Sequence, residues 1–482
     1  MTHAQIAAAA LVCSSVAAAA LPGNRPGAGV VAVATMIAAV VVASRTTRLS
    51  AHGLICGALA LALVSMAAVR AAGWVVGIDV MAAAFLASLA VSGGRSWREI
   101  LRGLGAVWAG LVRGLSFVAG PIRNVAGSAV RERGSGLLRG LALGGALVVV
   151  FGALLASADR AFSQLAGRFL VPDFQPSLAA ARLYLLVFVA ALTGAYVVIG
   201  PRYATAGAGD GSDPFASPTR RTLGFWDWSI ALGLLNTLFG AFVFVQMTVL
   251  FGGRHHVLET VGLGYAEYAR QGFFQLVGVA ALVMCVIAMT VHWARADTGR
   301  ERMLLRLLLG LLCVLTLVIL ASALRRLTLY EDTYGFTRLR ISVHAVILWL
   351  GILFGLVLVA GALWRADWLP RAFVYATAGC LLAFSLVNPE GIIARQNVDR
   401  FERTGDVDVL YLRSLSADAV PALVRLPQDV RDCVFAAIGR HVADESWAAF
   451  NLSRRGAQRV LELTTQGSYA SCAEDPYVPA GA

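Results

Sequence analysis

Lysine is absent from the chain, and charged residues of any kind are scarce. Of 482 residues, 14% are charged and 58% are hydrophobic, and the mean hydropathy is +0.73. Soluble domains carry about 25% charged residues, so this composition excludes a soluble protein and indicates a polytopic membrane protein. Without lysine the chain has no phosphate-binding G-x-x-x-x-G-K-[ST] loop, which argues against a pump with its own ATPase.

Patterns typical of metal-dependent or nucleophilic catalysis are also missing. Neither HExxH nor Ser-His-Asp arrangements stand out, and His255, His256 and Glu259 have no second ligand pair at zinc spacing. We therefore expect no metal and no cofactor. The net charge of +12 comes from arginine, but the arginines fall in short links between apolar runs. There they set membrane topology, so we expect no nucleic-acid partner.

Apolar runs make up most of the chain. We predict about eleven membrane spans, because each needs about 20 predominantly apolar residues. They lie at residues 6–21, 27–44, 51–69, 71–92, 137–156, 181–200, 225–251, 273–292, 303–323, 341–363 and 372–386. Between the fourth and fifth runs, residues 95–133 interleave arginine and tryptophan with apolar residues at steps of three and four. That pattern predicts an amphipathic helix at the membrane interface.

The predicted fold is all-α: a polytopic transmembrane helix bundle of about eleven spans with a small helical C-terminal extramembrane domain. Its predicted parts are a four-span segment (1–92), a basic amphipathic interfacial segment (93–136), a seven-span core (137–387) and a helical tail (388–482).

Arginine is richer on the links that share a side with the N-terminus, which predicts an N-terminus inside the cell and a tail outside. Heavy use of alanine, glycine, valine, leucine and arginine suggests a GC-rich bacterial genome, so the predicted location is a bacterial inner membrane. A disulfide between Cys433 and Cys472 of the tail would then be plausible.

The first candidate site is a polar stretch within residues 236–275. Glu267, Gln271 and Gln275 recur at steps of four, so they form one polar line on a helix that enters the membrane. We define the candidate polar pocket by Asn236, Gln246, Glu267, Arg270, Gln271 and Gln275. It is either a binding pocket open to the outer face or, in the favoured interpretation, a set of interhelical hydrogen bonds that fix packing.

The second candidate is a cluster on the predicted outer loops, one of which spans residues 324–340. Its members are Asp159, Glu331, Asp332, Arg338, Arg340 and His344. Paired acids on such a loop could bind a divalent cation, as lipid-linked sugar transferases require. Four arginines near two acids more simply predict a salt-bridged loop.

The third candidate is the span-tail junction, marked by Asn388, Arg395 and Asn397. On the helix that emerges here, Arg395 is spaced to pair with Asp399, and the favoured interpretation is rigid docking of the tail onto the bundle. Asp79 is the one acid deep within a predicted span. An ionisable group there is either a functional site or an uncharged, hydrogen-bonded residue.

Several blocks carry a family resemblance. Residues 155–162, 250–253, 265–274, 334–340, 388–397 and 415–421 resemble the signature blocks of the DUF4153 and DUF4173 families of bacterial multi-pass membrane proteins. The resemblance covers roughly residues 137–463 and leaves the first four spans outside. These families have no established activity, so it implies topology and coherence and supplies no catalytic residues.

Together these features favour a binding, sensing or assembly component that acts without a cofactor of its own, and they favour a non-enzymatic role. Its expected partners are the lipid bilayer and another membrane or envelope protein. A secondary transporter is one alternative, and the lack of a visible internal repeat weighs weakly against it. Another is an outer-face enzyme that acts on a lipid-linked substrate through Glu331 and Asp332.

Overall fold

The computed structural model describes residues 3–45, 49–94, 96–103, 182, 189, 224–251, 273–440, 442 and 446–464. Within these ranges every regular element is helical. The chain divides into two compact units. The first comprises Met1–Asn24, Met36–Thr46 and Val107–Pro201, and the second Arg25–Thr35, Thr47–Ala106 and Arg202–Ala482. Nearly all of the described structure belongs to the second unit.

We number the described α-helices in chain order. They are α1 (His3–Ala20), α2 (Ala28–Ser44), α3 (Ala51–Ser65), α4 (Gly73–Ser92), α5 (Phe225–Phe251), α6 (Phe273–Trp293), α7 (Gly299–Tyr334), α8 (Arg338–Leu363), α9 (Leu369–Leu386), α10 (Pro389–Thr404), α11 (Val409–Arg413), α12 (Val420–Leu423), α13 (Gln428–Gly439) and α14 (Leu452–Thr464). Short 3₁₀ helices occur at Met66–Ala68, Ala417–Ala419 and Trp447–Ala449.

Five described helical segments are long and apolar enough to cross a membrane. They are Ala51–Ala68, Gly73–Ser92, Gly299–Thr328, Arg338–Leu363 and Leu369–Leu386. Shorter apolar helical stretches occur at Ala8–Ala20, Ala28–Ser44, Trp228–Phe244 and Val277–Trp293. Nine predicted spans therefore fall on helices. The runs at 137–156 and 181–200 lie outside the described residues, apart from positions 182 and 189.

Two apolar cores hold the long helices of the second unit together. One joins α5, α6, α7 and α8, and Trp228 and Phe354 are buried within it. The other joins α3, α4 and α9 around Cys56 and Leu63. Successive helices such as α7 and α8 are linked by short turns, which makes them antiparallel neighbours.

The predicted long loop at 324–340 is wrong. Helix α7 continues to Tyr334, and only three residues separate it from α8. The reason is that residues 324–334 contain neither glycine nor proline, so the first helix-ending residue is Gly335, with φ 76. Thr337 then caps α8 by accepting a hydrogen bond from the Arg340 amide.

The tail has a core of its own that reaches the bundle. Phe435 and Leu423 are among its fully buried side chains, and Ile341 of α8 belongs to the same cluster. The predicted helical tail, residues 388–482, contains the described helices α10 to α14. Asp408 caps the short helix α11 by accepting a hydrogen bond from the Tyr411 amide.

Candidate functional site

A cluster of hydrogen-bonded polar side chains lies where the tail meets the α3–α4 link, the start of α8 and the end of α9. We call it the junction site. It comprises Arg70, Trp74, Arg338, Asn388, Glu390, Ser416 and Asp418. All of these residues belong to the second compact unit.

Glu390, in the first turn of α10, lies at the centre of the junction site with 0% exposure. Its Oε1 atom accepts from Trp74 Nε1 at 3.0 Å and from Arg338 Nε at 2.6 Å. Its Oε2 atom accepts from the Ser416 amide at 2.5 Å. Three separate segments therefore donate to one buried carboxylate, and the Arg338 guanidinium supplies the opposite charge.

Asp418 is the second buried acid of the site, with a side-chain exposure of 1%. Its Oδ2 atom accepts from the backbone amides of Ala71 and Ala72, each at 2.7 Å. These amides immediately precede α4, where backbone N–H groups have no partner within the helix and the helix dipole favours negative charge. Asp418 of the tail therefore caps the start of a candidate membrane span.

Arg70 ties the other side of Asp418 to helix α9. Its NH1 atom lies 3.8 Å from Asp418 Oδ1, which also accepts from the Ser453 hydroxyl. Its Nε atom donates to the carbonyl of Ser385 at 2.7 Å, and its NH2 atom donates to that of Leu386. Arg70 thus satisfies carbonyl groups at the C-terminal end of α9.

Asn388 makes the turn between α9 and α10 in a left-handed conformation, with φ 61. Its Oδ1 atom accepts from the Gly391 amide at 3.0 Å, and its Nδ2 atom donates to the Asp418 carbonyl at 3.0 Å. Asparagine tolerates this backbone conformation better than most residues. The turn and the tail are therefore held by the same side chain.

Asn397, in the middle of α10, holds the α7–α8 turn. Its Nδ2 atom donates to the Phe336 carbonyl at 2.9 Å, and its Oδ1 atom accepts from the Phe336 amide at 3.3 Å. Both backbone groups of one turn residue are paired with a single amide side chain. This pairing fixes the turn against α10 without any charged group.

Tyr411 completes the contact between α8 and the tail. Its hydroxyl accepts from the Arg338 amide at 2.7 Å, and the Arg338 NH2 atom donates to the Ser414 carbonyl at 2.6 Å. Burial raises the pKa of the Tyr411 hydroxyl, although the bond from Arg338 opposes that rise. The phenol therefore stays neutral at physiological pH.

The geometry of the junction site is that of a clamp. Glu390 and Asp418 each receive at least three hydrogen bonds or ion-pair contacts, so neither has a free oxygen aimed into open space for general acid–base chemistry. No group of three or more His, Cys, Asp or Glu side chains within the described ranges could hold a metal ion. What the site can do is hold the tail rigidly to the bundle.

Asp79, deep in α4, is hydrogen-bonded to the same region. Its Oδ2 atom accepts from the Ser385 hydroxyl at 2.7 Å, and its exposure is 1%. This contact is compatible with the uncharged, hydrogen-bonded interpretation of Asp79. It joins α4 to the end of α9, whose backbone Arg70 binds.

Only part of the candidate polar pocket lies within the described residues. Asn236 is 6% exposed, and its Nδ2 atom donates to the carbonyls of Leu232 at 2.9 Å and Leu308 of α7 at 3.0 Å. That interhelical bond is of the packing type favoured from the sequence. Gln246 and Gln275 lie on helices, but their side chains are outside the described part of the structure. Glu267, Arg270 and Gln271 lie outside the described residues.

The described contacts of the second candidate cluster lead to the junction site and to His344, and its salt-bridged loop stays a prediction. Arg338 pairs with Glu390 of the junction at 2.6 Å, and Arg340 donates to the Gly335 carbonyl. Glu331 lies instead 3.3 Å from His344. Arginine turns toward the tail because the loop is only three residues long and its helices place Arg338 beside α10. Asp159 and the side chain of Asp332 lie outside the described residues.

At the span-tail junction, Asn388 and Asn397 make the contacts described above, whereas Arg395 is exposed. The predicted pairing of Arg395 with the acids of α10 is wrong. Asp399 and Glu402 bind Arg425 instead, at 2.7 Å and 2.5 Å. A guanidinium that presents two donors in a fixed fork can bind both acids at once.

The predicted disulfide partners are only half described. Cys433 is disulfide-bonded, and Cys472 lies outside the described residues. The pairing of these two cysteines therefore stays a prediction.

Sequence reasoning missed the role of Arg70, Trp74, Ser416 and Asp418 in the site. One signal was available: Asp418 lies in a tail segment otherwise rich in alanine and leucine, where an acid predicted to be buried needs a partner. The identity of that partner was not readable from spacing.

A model of one protein family, described as a domain of unknown function (DUF4153), matches residues 57–426. The match begins within α3, earlier than the sequence resemblance indicated, and it ends before α13. It therefore includes every junction-site residue from Arg70 to Asp418. No curated protein and no solved structure matches the chain.

Proposed function

Because this chain belongs to the DUF4153 family, whose shared domain has no known function, we propose its role from the junction site. We propose that the protein is a membrane-embedded assembly component, which presents its helical tail to a partner protein at one end of the bundle. The observation that carries this proposal is the clamp made by Glu390 and Asp418. Both acids are buried and bound to backbone or side-chain donors of the bundle.

A rigidly held tail suits binding because a preorganised surface loses little conformational freedom when a partner docks. The tail also exposes large apolar side chains. Trp447 is 63% exposed, Leu410 60% and Leu452 55%. Tryptophan is among the side chains that most often anchor a protein interface.

The membrane arrangement is part of the proposal. We propose about eleven spans in a bacterial inner membrane, with the N-terminus inside and the tail outside. Support comes from arginine placement: Arg295, Arg300, Arg302, Arg365 and Arg371 lie at the ends of α6 to α9 opposite the junction site. Clusters of arginine favour the cytoplasmic side.

A reporter fused after residue 482 tests the orientation. Alkaline phosphatase, which is active only outside the cytoplasm, is expected to be active in this fusion. Green fluorescent protein does not become fluorescent when the general export pathway carries it out of the cytoplasm, so this second fusion is expected to be dark. A bright, phosphatase-negative pair of fusions would reverse the proposed topology.

Co-purification tests the assembly role. Cells that carry the full-length chain are cross-linked, and the proteins retained by the wild type are compared with those retained by Asp418→Ala. Asp429→Ala is the matched control, because Asp429 is an exposed acid of the same tail. We expect at least one partner that the wild type and the control retain and Asp418→Ala loses. Identical sets of retained proteins would contradict the role of the clamp in assembly.

A further inference from the structure

Glu331, in the last turn of α7, is a buried acid that the junction site does not use. Its side chain is 1% exposed. Within the described ranges, neither of its carboxylate oxygens receives a hydrogen bond. An ionised carboxylate in that condition is costly, because burial removes the water that would otherwise solvate it.

His344, in the second turn of α8, is the group closest to this carboxylate. Its Nδ1 atom lies 3.3 Å from Glu331 Oε1 and 3.2 Å from the Arg340 carbonyl. A carbonyl oxygen only accepts hydrogen bonds, so Nδ1 carries a hydrogen. The Nε2 atom is then the ring position that gains or loses a proton. The side chain is 22% exposed, which gives that proton a route to water.

Counting protons on the pair leads to one outcome. With Glu331 ionised and His344 neutral, the pair would carry a full negative charge that no hydrogen bond compensates. One added proton on His344 Nε2 balances this charge, because the imidazolium and the carboxylate then form an ion pair. We propose that Glu331 and His344 form a proton-binding site that holds one proton at neutral pH.

The neighbouring charged groups do not replace that proton. His344 is the one charged or titratable partner within ion-pair distance of Glu331 in the described part of the chain. The other titratable and charged side chains of the elements around it include Arg325, Arg326, Arg338, Arg340, Glu390, Arg400 and Tyr411, and the side chains of Tyr330, Asp332 and Tyr334 lie outside the described residues. Arginine stays protonated throughout the working pH range, and burial raises the pKa of Tyr411. Glu390 already binds Arg338.

The site is connected to the tail through one ring. Phe336 stacks on His344 with ring centroids 6.5 Å apart and an interplanar angle of 18°. Asn397 of α10 holds both backbone groups of Phe336. Loss of the proton therefore places an uncompensated charge beside the α7–α8 turn, which is hydrogen-bonded to α10. This charge destabilises the folded protein.

The test is the pH dependence of unfolding of the purified full chain in detergent, from pH 5 to pH 9. If the folded state holds one proton more than the unfolded state, the unfolding equilibrium constant rises about tenfold per pH unit above the histidine reference value of about 6.5. The measured quantity is the difference in slope between wild type and variants, because other groups contribute equally to both.

Glu331→Gln removes the buried charge and keeps the shape, so its slope between pH 6.5 and pH 8 is expected to be flatter by up to tenfold per unit. His344→Gln removes the ring that takes up the proton, so its slope over the same pH range is also expected to be flatter than that of the wild type. His292→Gln, a substitution of an exposed histidine in α6, is expected to keep the wild-type slope.

A wild-type slope equal to that of Glu331→Gln would overturn the proposal. So would an unchanged profile in His344→Gln, which remains informative if Glu331→Gln does not fold. This inference does not depend on the assembly role, because its measurement is stability and no partner is involved.

Discussion

Replacing Asp418 with alanine removes one carboxylate from the clamp and leaves its donors in place. The amides of Ala71 and Ala72 lose their acceptor at the start of α4. Arg70 loses the acid that lies 3.8 Å from its guanidinium. The perturbation therefore acts on the bundle side of the contact as much as on the tail.

The expected loss of docking free energy follows from the donors that are left without an acceptor. Each buried amide left without an acceptor costs about 1–3 kcal/mol. Breaking a buried ion pair by removal of one partner costs about 3–5 kcal/mol, and that range is an upper bound here because Arg70 is 15% exposed. We expect the tail to lose about 3–5 kcal/mol of docking free energy, which raises the undocked population by about a hundredfold to a few thousandfold.

Limited proteolysis measures this population. Trypsin is added to the side of the membrane on which the tail lies, and the cleavage rate at tail arginines reports the undocked state when opening and closing are fast. Asp429→Ala is the control, since its side chain is exposed in α13 and its loss is expected to change the rate by less than about threefold. Equal rates in Asp418→Ala and Asp429→Ala would refute the reasoning.

Three further changes probe other contacts of the same region. Glu390→Gln is expected to lower stability by about 1–3 kcal/mol, because Arg338 loses its charged partner; thermal unfolding in detergent measures it, and no change would contradict the clamp. Gly27→Ala is expected to destabilise the protein, because a Cβ there would meet the Ala449 backbone at 2.7 Å. Gly57→Ala is the control and is not expected to be destabilising, because a Cβ there would meet nothing within 4 Å. Equal melting temperatures of the two variants would count against the packing described. The pKa of Tyr411 is raised in the folded state, so its contribution is complete below the unfolded value of about 10 and is lost as pH rises through the folded value. Tyr411→Phe is therefore expected to reduce alkaline destabilisation above pH 10, and an unchanged alkaline profile would argue against it.

The helices were largely predictable, and their ends less so. Long apolar runs placed nine helices, because each run matches the length that a bilayer or an apolar core requires. The end of α7 was missed because charged residues after Ala323 suggested a loop. A helix can continue through charged residues until a residue such as Gly335 ends it. Hydropathy therefore locates the apolar part of a helix but not the residue at which the helix ends.

The sequence did not reveal which residues pair with one another in the junction site. Asn388 and the docking of the tail were expected from Pro389 and the polar residues that follow. The contact between Asp418 and the Ala71 amide joins positions 347 residues apart, and local spacing carries no information about it. Arg395 shows the opposite error, because its helical spacing to Asp399 was correct and Arg425 of a different segment took the acid.

Residue-resolved hydrogen exchange of the full-length protein in detergent tests the clamp most directly. Amides at the start of a helix normally exchange fast, because they have no acceptor within the helix. Since Asp418 accepts from the amides of Ala71 and Ala72, we expect both to exchange as slowly as amides in the middle of α4 and to become fast in Asp418→Ala. Fast exchange of both amides in the wild type would contradict the account.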